Sequence, residues 1–198
     1  MKVILFNAPP RAGKDTAADL LTKYLNGFDG VNAFRYSFAR PLKEATHALY
    51  GIDAPWDAFE FTKDMPQEKF FGLSPREAYI KVSEEMVKPV LGAEHWGNVF
   101  LSQVKKYGGF KGESVVVVSD CGFITEVLQI KKEIQAHNMF LVYMEREGTS
   151  FKNDSRSYVK DPSIPSYYLD NNGDLAELAS NMEYFGQIIL GQLGIKHD

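Results

Sequence analysis

The sequence predicts an α/β fold, in which helices cover both faces of a parallel β-sheet. Three observations support this fold class. Predicted strands and helices alternate along the chain, which is typical of parallel sheets. Four consecutive valines at 115–118 form a β-branched run that suits a strand buried on both faces. The chain has 198 residues, of which 44% are hydrophobic, so it is long enough for one α/β domain with a small insertion.

The first half of the chain opens with an apolar run that predicts a strand, followed by apolar residues at helical spacing. Pro41 stands at a position favoured at the start of a helix, and Gly51 is expected to end that helix. Residues 52–73 are irregular, aromatic and interrupted by prolines, as in a long surface loop. The elements predicted before this loop are a strand at 2–7, a helix at 14–26, a strand at 32–38 and a helix at 41–51.

The second half opens with Ser74, Pro75 and Glu77, which together are typical of a capped helix start. Pro89 and Gly92 are expected to interrupt this helix after about residue 88. Asp174 begins a similar capping pattern before a final amphipathic helix. The elements predicted from residue 74 onward are helices at 74–88 and 94–107, a strand at 114–118, a helix at 125–137, strands at 139–144 and 167–169, and a helix from 174.

The loop after the first strand carries the strongest functional signal. Residues 8–16 read A-P-P-R-A-G-K-D-T, and an apolar strand followed by a small-residue loop and a Gly-Lys helix start is the layout of a phosphate-binding P-loop. Backbone N–H groups and the helix dipole attract a phosphate there. The nucleotide-binding residues expected from this layout are Arg11, Ala12, Gly13, Lys14, Asp15 and Thr16. Gly13 would let the backbone approach a phosphate, and Lys14 would bridge the β- and γ-phosphates.

Two features of this loop depart from the usual pattern. Ala8 stands where Gly is usual, and Asp15 stands where Ser or Thr is usual, with the hydroxyl one residue later at Thr16. Because hard cations prefer oxygen ligands, Asp15 could hold Mg²⁺ directly or through water, and Thr16 would face the α-phosphate. The alternative is an ordinary Pro-Gly turn that leads into a helix.

Composition restricts the classes of partner and compartment. The net charge of −4 argues against a nucleic-acid polymer as a partner, although a small phosphorylated substrate needs only local cations. The chain has one cysteine, Cys121, so an internal disulfide is excluded and a reducing compartment is expected. The absence of a signal-like segment or a bilayer-spanning apolar run predicts a cytoplasmic protein without a membrane anchor.

Further candidate residues follow the predicted strands. Asp120 follows the valine strand, and in open α/β sheets ligands bind beyond the carboxyl ends of strands. A carboxylate there can position Mg²⁺ or orient an attacking hydroxyl, and the alternative is an aspartate that caps a turn. Arginine and lysine suit phosphate contacts, and such cations also follow strand ends or open a helix. They are Arg40, Lys43, Arg76, Arg146 and Arg156.

Several short blocks of the chain resemble the deoxynucleoside monophosphate kinases of bacteriophages, within the wider nucleoside-monophosphate-kinase fold. The blocks are Gly13-Lys14-Asp15-Thr16, Ser37-Phe38-Ala39 with Pro41 to Ala45, Arg76 to Trp96, Ser119-Asp120 with Phe123 and Glu126, and Asn172-Gly173 with Leu175 to Leu178. The chain departs from the family at Ala8, at Gly122, where the family often has Arg, and in the substrate helices at Ile80 and Ser83-Glu84. These changes affect the expected base specificity more than the expected reaction.

The resemblance implies a P-loop NTPase three-layer sandwich with a five-stranded parallel sheet in the order 2-3-1-4-5. It also implies one kinase domain over residues 1–198, with a substrate-binding helical insertion at about 41–110 and a lid at about 146–165. The implied partners are small-molecule nucleotides, and homodimer formation stays open. The protein would act in the host cytoplasm if a phage encodes it.

The implied reaction transfers the γ-phosphate of ATP to a (deoxy)nucleoside monophosphate, with ATP and Mg²⁺ required. Lys14, Asp120, Arg146 and Arg156 would be catalytic; Asp15, Thr16 and Asp120 would serve the metal; and Arg40, Lys43, Arg76 and Trp96 would bind the acceptor. A dephospho-coenzyme A kinase or another small-metabolite kinase shares these features. A nucleotide-binding module whose catalysis has decayed is a second alternative.

Overall fold

The computed structural model describes residues 1–106, 113–152 and 154–195. These residues form a five-stranded, all-parallel sheet in the order β2-β3-β1-β4-β5, which confirms the expected sheet. The strands are β1 (Lys2–Asn7), β2 (Val31–Tyr36), β3 (Glu113–Val118), β4 (Met139–Glu145) and β5 (Ser166–Asp170). β1 lies at the centre of the sheet, and all six of its residues are buried.

Helices occupy the connections that precede β4 and the segment that follows β5. They are α1 (Lys14–Leu25), α2 (Ala39–Leu49), α3 (Pro75–Lys81), α4 (Lys88–Leu91), α5 (His95–Lys106), α6 (Ile124–Lys131) and α7 (Leu175–Leu193). A π-helical segment, Val82–Val87, joins α3 to α4. Three single 3₁₀ turns occur at Glu60–Thr62, Glu68–Phe70 and Ala136–Asn138.

Two hydrophobic clusters cover the two faces of the sheet because alternate side chains of a strand point to opposite faces. On β1, Ile4 and Phe6 join the cluster that contains residues of α1 and α7. Val3 and Leu5 join the cluster that contains residues of α5 and α6. A smaller cluster around Phe70 lies within the segment between α2 and α4. The described chain is therefore a sheet between two helical layers, with an added helical segment beside α2.

Two predicted helices have different ends from those expected. The helix expected at 125–137 is wrong in length, because α6 ends at Lys131. Bonds from residues 132 and 133 back to carbonyls three residues earlier tighten the chain there, and Ile134 is buried before β4 begins. Pro89 does not end the preceding helical segment, because it lies in the first turn of α4, where no N–H is needed. The expected end of the 94–107 helix lies outside the described residues.

Within the described ranges, the structure contains no helix that is both long enough and apolar enough to span a membrane.

Candidate functional site

The loop between β1 and α1 has an unusual backbone. Arg11 and Gly13 both have positive φ angles, of 65° and 93°. A Cβ atom on Gly13 would lie 2.5 Å from the side-chain nitrogen of Asn171, so only glycine suits both the backbone and the space. Gly13 is the N-cap of α1 and offers no side chain to its first N–H groups. The start of α1 therefore presents backbone donors that can bind an anion.

Lys14 is the first residue of α1, and its side chain folds back over this loop. The residue is only 7% exposed, and Nζ donates a hydrogen bond to the carbonyl oxygen of Pro9 at 2.6 Å. Burial, together with the nearby charge of Arg156, lowers the pKa of Lys14 to about 8, although Asp15 and Asp120 oppose this shift. Lys14 is therefore a largely desolvated cation beside the uncapped start of α1.

Two buried asparagines hold the loop and the strand ends together. Asn7 is fully buried; its amide donates to the carbonyls of Cys121, at 2.9 Å, and Ser157, at 3.0 Å, and its oxygen accepts from the N–H of Val159 at 2.7 Å. Asn171 donates to the carbonyl of Ala12 at 2.8 Å. Sequence reasoning missed both asparagines. For Asn7, the only available signal was a polar residue at the end of an apolar strand.

Asp15 belongs to a network with Arg35 of β2. Asp15 Oδ1 accepts hydrogen bonds from Arg35 at 2.8 Å and from the Ser119 hydroxyl at 2.7 Å, and Arg35 also binds Asp19 at 2.6 Å. Desolvation would raise the pKa of Asp15, but the hydrogen bonds from Ser119 and Arg35 outweigh it and lower that pKa. Asp15 is thus ionised and tied to β2 and β3, while its side chain remains 79% exposed.

Asp120 caps the start of α2. One of its oxygens accepts from the backbone N–H of Phe38 at 3.0 Å; the other accepts from the Ser37 hydroxyl at 2.7 Å and from the N–H of Ala39 at 2.9 Å. These bonds explain why α2 begins at Ala39 rather than at Pro41. Both carboxylate oxygens are engaged by the segment before α2, so Asp120 fixes the position of that segment beside the β1–α1 loop.

Arg156 and Asp154 form a close pair in the segment after β4. The backbone N–H and Nε of Arg156 both donate to Asp154 Oδ1 at 2.9 Å, and a terminal nitrogen donates to Oδ2 at 2.7 Å. Desolvation would raise the pKa of Asp154, but the hydrogen bonds from Arg156 lower it, with a further contribution from the charge of Arg76. Asp154 also acts on Lys14, whose pKa it tends to raise. One carboxylate therefore lies within electrostatic reach of three cations.

Gly122 leaves the space that Arg156 uses. A Cβ atom on Gly122 would lie 2.5 Å from Cγ of Arg156. The N–H of Ser157 also donates to the carbonyl of Gly122 at 3.3 Å. An arginine from a different segment thus lies directly against residue 122.

The cations expected on the acceptor side are paired with carboxylates. Arg40 binds Glu44 at 2.9 Å, and Lys43 binds Glu60 and lies over the ring of Trp56. The remaining one, Arg76, binds an aspartate of the preceding loop. These ion pairs hold the three cations against carboxylates of α2 and of the loop between α2 and α3.

Arg76 and Trp96 lie in different settings. Arg76 Nε donates to Asp64 at 2.6 Å, and this hydrogen bond lowers the pKa of Asp64, with a smaller contribution from the charge of Arg11. Arg76 is therefore held by an ion pair with the loop that precedes α3. Trp96 is 6% exposed in the cluster under α5, and its indole N–H donates to Ser83 at 3.1 Å.

A cavity of about 420 Å³ opens beside the β1–α1 loop. Its walls include Pro9 of the loop, Arg146 after β4, the aromatic rings of Phe151 and Tyr158, and Asn172. The two rings meet edge to face with centroids 5.0 Å apart. Most of the other lining residues are polar or charged, and they include two glutamates beside Arg146, so the cavity combines two aromatic rings with acidic and basic groups. Its volume falls in the usual range of sites for small organic ligands.

The residues predicted to bind the metal differ in their ability to act as Mg²⁺ ligands. Among the described residues, no group of three or more His, Cys, Asp or Glu side chains is arranged to hold a metal ion. Asp15 is an exposed carboxylate and Thr16 an exposed hydroxyl at the start of α1, which are oxygen donors of the type Mg²⁺ uses. This donor set fits a Mg²⁺ ion held mainly by nucleotide phosphates and water, as is common for that ion.

The fold and the site together define an α/β protein with a candidate anion-binding loop at the carboxyl edge of a parallel sheet. No protein-family model matches the chain, and no curated protein matches it at a significant level. Solved structures resemble it weakly, and two of them illustrate the likeness. The tunicamycin resistance protein of Deinococcus radiodurans has 11% identity and a TM-score of 0.45, with 98% of this chain and 96% of that chain covered. A phosphoheptose isomerase from Francisella tularensis has 12% identity and a TM-score of 0.26, with 93% and 85% covered. Neither score supports a functional argument.

Proposed function

We propose that this protein is a P-loop kinase that transfers the γ-phosphate of ATP to a nucleoside or deoxynucleoside monophosphate. The observation that carries the proposal is the position of Asp154. Its carboxylate accepts hydrogen bonds from Arg156 and is within electrostatic reach of Lys14 and Arg76, so cations from three separate segments of the chain act on it. Cations that surround one internal anion beside an uncapped helix start can equally surround the phosphoryl groups of a nucleotide.

In this proposal, the start of α1 and Lys14 bind the β- and γ-phosphates, and the cavity near Arg146 receives the base and ribose. An oxygen of the acceptor phosphate attacks the γ-phosphorus, and the bond from that phosphorus to the β-phosphate oxygen breaks, so ADP leaves. Mg²⁺ bound to the phosphates would neutralise part of their charge. Arg156 lies near Lys14 and stabilises charge on the transferring group, which is the main requirement of phosphoryl transfer.

The other residues of the site position these groups. Asp120 fixes the segment before α2, and Asn7 fixes the segment that carries Arg156. In this proposal Arg76, which is paired with Asp64, contacts the acceptor phosphate. The segment at 146–165 acts as a lid that excludes water, which would otherwise compete with the acceptor.

An acceptor panel tests the proposal. ADP release from ATP is measured with each common ribonucleoside and deoxynucleoside monophosphate, with dephospho-coenzyme A and with water alone. We expect release that depends on at least one nucleoside monophosphate and is far slower without it. Turnover only with dephospho-coenzyme A would favour the small-metabolite alternative. Tight ATP binding without turnover on any acceptor would contradict the proposal and favour a nucleotide-binding module.

A further inference from the structure

Asn171 lies against the peptide that leads into α1. It follows the last residue of β5, and its backbone N–H donates to the carbonyl of Glu145, at the end of β4, at 2.8 Å. Its side chain is directed at the β1–α1 loop, where Nδ2 donates to the carbonyl of Ala12 at 2.8 Å. Asn171 is only 4% exposed. The loop is thus tied to the edge of the sheet by a buried side chain that lies 159 residues further along the chain.

The contact determines which atom of the Asn171 amide faces the loop. The carbonyl oxygen of Ala12 can only accept a hydrogen bond, so the amide nitrogen has to point toward it. A Cβ atom on Gly13 would lie 2.5 Å from this same nitrogen. Asn171 therefore packs against Gly13 and also binds the carbonyl that precedes it, so it holds the Ala12–Gly13 peptide from one side.

The bond from Asn171 sets the direction of the Gly13 N–H group. The described peptide bonds are all trans, and the C=O and N–H bonds of a planar trans peptide point in opposite directions. Because Asn171 holds the Ala12 oxygen, the Gly13 N–H points away from Asn171. Rotating this peptide by half a turn would put the oxygen where the N–H now lies. Glycine adopts positive and negative φ about equally, so Gly13 by itself offers little resistance to that rotation.

The direction of this peptide matters because the start of α1 is rich in free donors. No described residue accepts a hydrogen bond from the N–H groups of Gly13, Lys14, Asp15 or Thr16. An anion at this helix start would meet the Gly13 N–H in the observed orientation, and the Ala12 oxygen in its place if the peptide turned. A carbonyl oxygen repels a phosphate. The orientation of one peptide therefore changes both the number of donors and the sign of the local partial charge.

We infer that Asn171 is a positioning residue for phosphate binding, because its hydrogen bond to Ala12 keeps the Gly13 N–H directed at the phosphates of a nucleotide. This inference rests on the proposed function, since it takes the β1–α1 loop as the phosphate site. Asn171 acts through the loop and touches no reacting atom. It sets the fraction of molecules in which the loop is ready to bind, and the apparent affinity for a phosphate is proportional to that fraction.

A single NMR signal tests the inference without turnover. Ala12–Gly13 is the only Ala-Gly step in the sequence. Labelling with carbonyl-¹³C alanine and ¹⁵N glycine therefore leaves one carbonyl–amide correlation, which belongs to this peptide. Sodium pyrophosphate is titrated into the full-length protein at constant ionic strength. In the unsubstituted protein the Gly13 amide proton should move downfield and saturate, as expected when an N–H group donates to an anion.

Asn171→Leu removes the donor and keeps the branched shape of the side chain. Pyrophosphate should bind this variant roughly tenfold more weakly, the equivalent of about one hydrogen bond. The Ala12 carbonyl carbon should also move upfield before any pyrophosphate is added, because its hydrogen bond is lost. Circular dichroism checks that the variant is folded. Asn171→Ala removes the same donor and replaces Asn171→Leu if that variant does not fold.

Asn26 offers a matched control at the other end of α1. Its Nδ2 donates to the carbonyl of Ala33, also at 2.8 Å, so Asn26→Leu removes the same kind of bond far from the loop. This variant should bind pyrophosphate as the unsubstituted protein does, and its Ala12–Gly13 signal should not move.

The outcomes separate this inference from the proposed function. Unchanged pyrophosphate affinity in folded Asn171→Leu would overturn the inference, and so would a Gly13 amide that does not respond to pyrophosphate in the unsubstituted protein. An equal loss in Asn26→Leu would overturn it as well, because the effect would then be a general weakening of α1. If pyrophosphate binding depends on Asn171 but ATP phosphorylates no acceptor in the panel, the positioning role stands and the kinase proposal fails.

Discussion

At the scale of single residues, buried polar side chains organise the candidate site. Asn7 joins the ends of β1 and β3 to the segment that carries Arg156, with three hydrogen bonds of 2.7–3.0 Å. Replacing such a residue leaves several buried backbone groups without partners, which costs more than the bonds contribute. Glu126 is different. Its Oε2 atom has no hydrogen-bond partner among the described residues, and burial makes its ionised form unfavourable.

The raised pKa of Glu126 predicts a pH-dependent stability. The ordinary value is 4.5 and the folded value is about 8, so the folded state binds more protons than the unfolded state between these limits. The free energy of unfolding therefore falls as pH rises through this window. Glutamine cannot ionise. The free energy of unfolding of Glu126→Gln, measured relative to that of the unsubstituted protein, should therefore increase by up to about 1.4 kcal/mol for each pH unit between pH 5 and 8.

Urea denaturation at several values between pH 5 and pH 8.5 measures this difference. Glu133→Gln, an exposed carboxylate just after α6, is the control and should show a difference that hardly changes with pH. A stability difference for Glu126→Gln that is constant over the whole range would mean that Glu126 does not titrate in this window.

At the scale of elements, the β1–α1 loop depends on a left-handed residue at a close approach. Gly13→Ala should destabilise the fold because a Cβ would meet both a positive φ and the amide of Asn171. Gly30→Ala isolates the first effect, since Gly30 has φ of 84° and no described atom lies within 4 Å of the added Cβ. We expect about 1–2 kcal/mol for Gly30→Ala and a larger loss for Gly13→Ala, measured by urea denaturation. Equal losses would show that Asn171 moves aside freely.

In the segment after β4, we expect the phosphates of a bound nucleotide to take the place of the Asp154 carboxylate beside the cations. Asp154 neutralises Arg156 and acts on Lys14 and Arg76. Asp154→Asn should therefore bind ATP more tightly, by roughly fivefold, because the phosphates no longer compete with a carboxylate. Asp161→Asn is the control, because Asp161 lies in the same segment as Asp154 but pairs with Lys131 of α6. Calorimetry measures both, and an unchanged or weaker ATP affinity in Asp154→Asn would mean that Asp154 does not occupy the phosphate position.

The elements were predictable from the sequence where the signal is local. The valine run, the Ser74–Glu77 cap and the strand–loop–helix at residues 2–25 all form as expected, because residues close in sequence determine them. The end of α6 and the start of α2 were wrong, because Asp120 and the approach to β4 decide them from a distance. Arg35 illustrates the same limit: its partners Asp15 and Ser119 are 20 and 84 residues away.

At the scale of the whole molecule, an acidic protein presents a local group of cations. The net charge is −4, yet Lys14 at the start of α1 and Arg156, which packs against Gly122, bring cations from two distant segments to the carboxyl edge of the sheet. A local positive field in an otherwise acidic surface attracts small phosphorylated ligands and disfavours long polyanions. Because Lys14 and Arg156 lie far apart in sequence, this edge is complete only when both segments are assembled.

The role in acceptor binding proposed for the segment at about 41–110 is tested at Arg76. Arg76→Ala should raise the acceptor KM and lower kcat, with a loss of about tenfold to a hundredfold in acceptor kcat/KM and little change in the KM for ATP. Lys81→Ala, on the same helix and paired with Glu85, is the control and should change neither value. Steady-state kinetics with each substrate varied in turn decides the matter. Equal increases in both KM values would indicate a defect in folding or closure instead of a lost acceptor contact.

The most direct test of the central claim follows the phosphoryl group itself. ATP labelled at the γ-phosphate is incubated with the protein and each nucleoside monophosphate, and the labelled products are separated. The account predicts label in a nucleoside diphosphate, and at least about a hundredfold slower transfer by folded Lys14→Ala, with Lys23→Ala at the far end of α1 unaffected. Label found only in inorganic phosphate, or normal transfer by folded Lys14→Ala, would contradict it.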